Sequence, residues 1–392
     1  MDIKLIQQLK TEIDMILPDI VEIRHAIHQT PEIALREYKT AELIRKTLKS
    51  TGLRPLKPFL ETDVVAILHG RETGKNVTLR ADIDALPIQE ETGLPYASRS
   101  AGFMHACGHD GHTAMLIGAA LVLSKFKDAL KGSVKFVFQP GEEIVAAGRD
   151  LIEKGALQDP KPDAVIALHA WPGIPEGVIA SKPGVLLAAA DFFKITIKGK
   201  GAHGSRPADS IDPILTAARV VESLQAVVSR NVSALDPVVL SVCRISGGTN
   251  SNTIPDSVEM EGTTRYLKPE LRKKIPVDME RIVKGVCDSM GATYDMSYSS
   301  PYIPTINDPN MVDLGKNVAK EVLGPFGWID LEEPSMGGED FSYYVAKYPG
   351  AMFRIGVGKE SALLHTAQFD FNDHALKNGI LFLVTLAWSF SI

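Results

Sequence analysis

Cysteine is scarce in this 392-residue chain: Cys107, Cys243 and Cys287 are few, odd in number and widely separated. Such a set does not suit a disulfide framework and fits a reducing, cytoplasmic compartment. Long apolar runs are missing too. No window approaches the ~20 consecutive apolar residues of a membrane span, so no membrane role is expected. The first twenty residues, MDIKLIQQLKTEIDMILPDI, carry acids and amides where a secretory leader has an unbroken apolar core. A basic face is absent as well: the net charge is −6 with both signs interspersed, which argues against nucleic acid as a partner. No block of like charge forms a tail, and we find no internal repeat or low-complexity run. What remains is the composition of a globular chain, 45% hydrophobic and 23% charged, long enough for two or three domains.

The first fifty residues carry apolar side chains at helical spacing (Leu5, Ile6, Leu9, Ile13, Ile16, Leu17). Short apolar runs then alternate with helical patterns. DVVAILHG (63–70), NVTLRAD (76–82), SVKFVFQ (133–139) and DAVIALHA (163–170) read as strands, and TAMLIGAALVLSKF (113–126) as a helix. That alternation predicts an α/β fold with an open, mostly parallel sheet covered on both faces. Near residue 188 the texture changes: FFKITIKGKG alternates apolar and polar residues, as a strand wetted on one face does. The following order, strand-helix-strand-strand-helix-strand, is that of a ferredoxin-like α+β unit. We therefore expect a discontinuous domain of 1–187 and 301–392, interrupted by a smaller domain of 188–300.

In doubly wound sheets, chemistry gathers outside the carboxyl ends of the strands. Here polar clusters fall at those ends: Asp82 and Asp84 after NVTLRAD, Glu142 and Glu143 after SVKFVFQPG, and His169 after DAVIAL. MHACGHDGH (104–112) precedes a helix expected from about Gly111, which puts Cys107 and His109 in a loop, and His365 lies further on. Cys107 has three readings: nucleophile, half of a disulfide, or metal ligand. A divalent metal of intermediate softness takes thiolate, imidazole and carboxylate together. Glu142 and Glu143 are adjacent and cannot point the same way on a strand. On a turn, one can ligate a metal while the other faces the water to be deprotonated. Such a site hydrolyses amides or esters. Taken singly, each residue has a plainer reading: a buried thiol, a solvated acid pair, a core histidine, a turn-capping aspartate. Their convergence on strand ends favours the metal site. His105 and His112 flank it as supporting residues, and His69 and His374 read as structural or surface.

RADIDALPI, MHACGHDGH, FQPGEE, ALHAWP, KGKGAHGSRP, GGTNSNTIPD, EGTTR, MGGEDFSYY and LLHT occur in the order seen in the amidohydrolase branch of the aminoacylase/carboxypeptidase metallopeptidases. The resemblance runs from RHAIHQTPE (24–32) to the end of the chain. It implies a catalytic domain holding two divalent metal ions per subunit (zinc, manganese, nickel or cobalt) and an inserted lid that is also a dimerisation surface. By the same resemblance Cys107 bridges the metals, His109, His169, Glu143 and His365 complete their ligands, and Glu142 is the general base. Asp84 orients a ligand histidine. Asp82 stands where related branches place a ligand histidine and is left out of the ligand set. In the lid, His203 reaches a partner subunit's site to stabilise an oxyanion, Asn252 and Arg265 hold a substrate carboxylate, and the backbone of Gly337 and Gly338 approaches the substrate. His25 departs from the pattern, which has a second arginine there. The implied reaction is hydrolysis of a small N-acyl amino acid. A carboxypeptidase or dipeptidase on the same site is the alternative. A cysteine amidase leaves the carboxylates and His169 without a task, and a non-catalytic binding protein would lack the base or a ligand.

Overall fold

In a computed structural model the chain forms two compact units. The first comprises Met1–Leu186, Thr305–Glu333 and Asp340–Ile392, and the second Leu187–Pro304 and Pro334–Glu339. The structure describes residues 2–391; the outermost residues of the expected discontinuous domain, Met1 and Ile392, lie outside the described residues.

The first unit opens with α1 (Ile3–Gln29) and α2 (Tyr38–Ser50), followed by β1 (Val64–His69) and β2 (Glu72–Asp82). Next come α3 (His109–Lys125), β3 (Lys131–Gln139), α4 (Glu142–Val145), α5 (Ala147–Glu153), β4 (Ala164–Trp171) and β5 (Ile179–Ser181). The second unit supplies β6 (Ala189–Lys198), α6 (Pro213–Ala226), β7 (Val238–Gly247), β8 (Ser257–Tyr266), α7 (Leu271–Met290) and β9 (Thr293–Tyr302). The chain then returns to the first unit with α8 (Pro309–Leu323), β10 (Trp328–Asp330), β11 (Gly350–Gly356) and α9 (His374–Ser391).

The first unit's sheet has the order β1-β3-β2-β4-β11-β5-β10. Pairing is parallel except at β1–β3 and β11–β5. Its central strands are buried along nearly their whole length, as strands covered on both faces must be. One face is apolar: Leu79, Phe136, Phe138, Ile166, Leu168, Phe353 and Ile355 pack under α3, α8 and α9, and α1 lies against α3 and α9. Alternation along the same strands turns Arg80, Asp82, Gln139, His169 and Arg354 to the other face. α3 is buried on every side over its first two turns, which is why its sequence lacks a polar stripe.

Gly108 closes the loop before α3 with φ +86°, in the left-handed region, and a Cβ there would lie 2.9 Å from the Ala170 Cβ. α3 consequently starts at His109, not near Gly111 as the sequence predicts, so His109 is its first helical residue rather than a loop residue.

The second unit is an antiparallel sheet of order β9-β6-β8-β7 with α6 and α7 packed on one face. Its core comprises Phe193, Ile195, Ile197, Val220, Leu224, Met260, Ile275, Met279 and Val283. No helix among the described residues is long and apolar enough to cross a membrane.

Candidate metal centre

Five segments of the first unit meet at the carboxyl ends of β2, β3 and β4. Cys107, 7% exposed, lies 3.6 Å through Sγ from His169 Nε2 and 3.3 Å from His365 Nε2. His365 Nε2 is 3.2 Å from Glu143 Oε1, which in turn lies 3.8 Å from His109 Nε2. His169, Cys107, His365, Glu143 and His109 thus form one continuous chain of donor atoms. His365 adopts φ +61° in its loop, pinned by its backbone N–H donating to Ala106 O at 2.8 Å.

The orientation of the imidazoles shows what they present to one another. His109 Nδ1 donates to the backbone oxygen of Asp84 at 2.9 Å, and His169 Nδ1 to that of Ala170 at 2.7 Å. Each therefore turns a lone pair on Nε2 inward. His109 Nε2 and Glu143 Oε1 are both buried and make no hydrogen bond. Nε2 must therefore share a cation, a proton or a metal ion, with the carboxylates that face it. Sulfur, nitrogen and oxygen donors in two overlapping groups, Cys107–Glu143–His365 and His109–Glu142–Glu143, fit two divalent ions of borderline softness.

The electrostatics agree. Burial pushes the Cys107 thiol well above its ordinary value, and Glu143, Glu142 and Asp82 push it further. Without a cation Cys107 is a protonated thiol and a poor nucleophile. Burial opposes charge on His109, but Asp82, Asp84 and Glu143 outweigh it and raise its pKa to about 10, so without a metal ion Nε2 holds a proton in the place an ion would take. Burial, reinforced by His112, keeps His169 neutral by pulling it well below the usual histidine value.

Asp82 Oδ2 stands 3.7 Å from His109 Nε2, and Asp82, His109, His112 and His169 form a further close group, but Asp82 and His112 are engaged by protein partners. Asp82 accepts from Arg80 Nη1 at 2.8 Å and from His112 Nδ1 at 2.6 Å. His112 Nε2 accepts from the Ala170 N–H at 2.7 Å, so the pair steadies β4 beside His169. Asp84 Oδ2 accepts from the Glu143 N–H at 3.0 Å, tying that residue to the same aspartate that orients His109. Glu142 is buried, with a carboxylate oxygen within 4.8 Å of the His109 and Glu143 donor atoms. His105 is buried with both ring nitrogens unpartnered, and burial lowers its pKa to about 4.

The remaining expected residues belong to the second unit. His203 and Asn252 adjoin across a two-stranded bridge: Thr253 pairs with His203, and the Gly204 N–H donates to Asn252 O at 2.7 Å. Arg265, half-buried on β8, donates from Nε to Thr263 Oγ1 at 3.1 Å and sits over the Phe192 ring. No carboxylate among the described residues forms an ion pair with it. Gly338 lies beside Arg265 Nη1, and a Cβ there would come within 2.7 Å of Ala190 Cβ; Gly337 is unobstructed.

Several supporting residues escape a reading by motif. Glu37, fully buried, accepts from the Gly141 and Leu35 N–H groups at 3.0 Å and from the Thr62 hydroxyl, and so holds the turn before Glu142. Asp110, one residue after His109, accepts from Arg24 Nε at 2.9 Å and from His28 Nδ1 at 2.8 Å. Arg24 also meets Asp370 and Asp373, while His25 pairs with Asp373 at 2.8 Å and stacks on Tyr96. An acid in the first turn of the otherwise apolar α3, Asp110, is the signal that could have exposed this cluster.

A mostly parallel sheet that brings thiolate, imidazole and carboxylate donors to one rim defines a metal-dependent hydrolase. Residues 78–389 match the peptidase family M20/M25/M40, and the chain belongs to that family. It is 41% identical over 371 residues to N-acetylcysteine deacetylase of Bacillus subtilis, covering 94% of this chain and 96% of that one. It is 37% identical over 395 residues to thermostable carboxypeptidase 1 of Saccharolobus solfataricus, covering 99% of each. Among solved structures it resembles a dinuclear metal-binding peptidase of family M20 from Bacillus subtilis, with TM-score 0.83, 36% identity, and 96% of this chain and 99% of that chain covered.

Proposed function

We propose that this chain is a metal-dependent amidohydrolase that cleaves N-acyl-L-amino acids to a carboxylic acid and a free amino acid. The observation that carries the reading is the run of inward-facing donors His169–Cys107–His365–Glu143–His109, with Glu142 beside it. The kinship with N-acetylcysteine deacetylase supports the substrate class. When bound, two divalent ions supply Lewis acidity towards the acyl carbonyl and make nearby water acidic enough to attack at neutral pH. Cys107, His109, Glu143, His169 and His365 hold them. Asp84 keeps the His109 ring in the tautomer that leaves Nε2 free, and fixes Glu143 through its backbone N–H. Glu142 takes the proton from the attacking water on a carboxylate oxygen and returns it to the departing amine.

His203 stabilises the tetrahedral oxyanion in the site of a partner subunit, which makes a homodimer through the second unit the working form. Arg265, which forms no ion pair with a carboxylate among the described residues, and Asn252 hold the α-carboxylate of the substrate. Gly337 and Gly338 leave room for the substrate to reach backbone amides. In this scheme 1–187 with 301–392 is the catalytic domain, 188–300 is the lid, and the enzyme works in the cytoplasm with zinc, manganese, nickel or cobalt. A carboxypeptidase or dipeptidase reaction is the second reading, supported by the kinship with thermostable carboxypeptidase 1.

The test is hydrolysis of a panel of N-acetyl, N-benzoyl and N-succinyl amino acids and dipeptides, before and after chelation and with each metal restored. Chelator-sensitive release of free amino acid from the N-acyl substrates supports the proposal. Cleavage of dipeptides alone favours the second reading, and activity indifferent to chelation but lost on thiol alkylation refutes both.

A further inference from the structure

On the polar face of the first unit's sheet, Arg354 is a charge without a partner. It lies on β11 in register with His169 on β4, and strand geometry turns both side chains to the same face. The residue is 6% exposed. Its Nε and Nη2 are buried and donate to nothing, and no carboxylate among the described residues forms an ion pair with it. Its neighbour is instead an aromatic face: the guanidinium carbon stands 3.5 Å from the centroid of the Trp171 ring. Trp171 in turn packs edge-on to His169, with ring centroids 6.0 Å apart. Arg354, Trp171, His169 and Cys107 therefore follow one another into the metal centre.

Every other arginine buried in this unit is answered by acids. Arg24 meets Asp110, Asp370 and Asp373, and Arg80 meets Asp82 and Asp340. An arginine cannot shed its charge as a buried lysine can, so an unanswered one is expensive to retain for packing alone. Burial without a counter-charge pulls Arg354 down to about 10. Stacking on tryptophan offsets part of that penalty while leaving the buried Nε and Nη2 groups without an acceptor. A planar fork of unpaired N–H groups suits a carboxylate, which can accept two parallel hydrogen bonds.

We propose that Arg354, held flat by Trp171, binds a second carboxylate of the substrate, distinct from the α-carboxylate. The preferred substrates are then dianionic N-acyl amino acids. The extra carboxylate belongs either to a dicarboxylic acyl group or to an acidic amino acid side chain. This inference rests on the amidohydrolase reading.

The experiment compares kcat/KM for N-acetyl-L-methionine, N-succinyl-L-methionine and N-acetyl-L-glutamate in the wild type, Arg354→Met and Arg354→Lys. The proposal expects the wild type to favour one of the two dianions, which identifies the half that carries the charge. It expects the dianion-to-monoanion ratio to fall by roughly 30-fold or more in Arg354→Met, the scale of hydrogen bonds to a charged group, and by less in Arg354→Lys. A ratio that stays within twofold in both variants overturns it, whatever the absolute rates. A binding readout stands apart from hydrolysis and needs only the wild type and Trp171→Phe. Succinate titrated into the wild type should change its tryptophan fluorescence saturably, and the change should vanish in Trp171→Phe. No saturable change with succinate overturns the proposal even if N-acetyl substrates are turned over. A saturable change with no hydrolysis upholds the anion site while refuting the amidohydrolase reading.

Discussion

Two buried polar clusters flank the start of α3, and they are built on opposite plans. On one side of the HACGHD loop, Asp110 is answered by Arg24 and His28, and Arg24 by Asp370 and Asp373 as well. On the other, one residue away, His109 turns Nε2 towards Glu143, and Cys107 stands between His169 and His365. The first cluster carries its own cations, although Asp110 Oδ1 is left without a hydrogen-bond partner. The second gathers thiol, imidazole and carboxylate groups around which no arginine or lysine among the described residues stands, so protons or metal ions are its only cations. The contrast separates support from function: matched charges anchor the loop to α1 and to the segment before α9, so that the unmatched donors beside it can be held in place for ions the chain does not itself supply. Asp84 and Glu37 extend the support by gripping the backbone of the Gly141–Glu143 turn.

The comparison is broken most forcefully at the functional side. Glu142→Gln keeps the size of the side chain and removes its basicity. Steady-state kinetics should register a fall in kcat of about 10²- to 10⁴-fold, with metal content per chain unchanged. A fall in metal content instead would move Glu142 from base to ligand.

Breaking the supporting side should act on stability first. Arg24→Met leaves Asp110, Asp370 and Asp373 in a buried site without their shared cation, at a cost of about 3–5 kcal/mol. Urea unfolding of the metal-free protein measures it. A loss under 1 kcal/mol would mean that the matched cluster is not what anchors the loop.

A subtler division between the clusters appears with pH. Burial disfavours charge on His28, but Asp110 and Glu90 prevail and raise its pKa to about 9 from the ordinary 6.5. A folded-state pKa above the unfolded one gives stability that is fully present below pH 6.5 and is lost as pH rises through 9. The full swing is on the order of 3 kcal/mol. Denaturation at pH 6 and pH 9.5 should show that loss in the wild type and a smaller one in His28→Asn. Equal slopes in the two proteins would remove His28 from the account.

Much of this arrangement was legible before any coordinates. Alternating apolar runs and helical patterns are dense enough between 63 and 170 to specify the mostly parallel sheet, because strands buried on both faces leave little room for polar residues. Glu142, Glu143 and His169 stand out because they follow such runs, whereas Cys107, His109 and His365 lie in or beside loops. The start of α3 falls two residues earlier than the sequence predicts: the left-handed turn at Gly108 begins the helix early, and a glycine in a glycine-rich loop does not announce which φ it adopts. The matched cluster was hidden for a different reason. Arg24, Asp110 and Asp370 are far apart in the chain, and only packing of α1 against α3 and α9 brings them together. Glu37 and Arg354 are invisible to pattern: single charged residues acquire meaning only when burial and missing partners are known.

The most direct test of the central claim is metal stoichiometry. Chelated protein dialysed against zinc, manganese, nickel or cobalt and assayed by atomic emission should hold two ions per chain for at least one of them. His109→Gln and Cys107→Ala should each lower that number while leaving the matched cluster folded. Binding of less than one ion per chain for every metal, in protein that remains folded, would contradict the account.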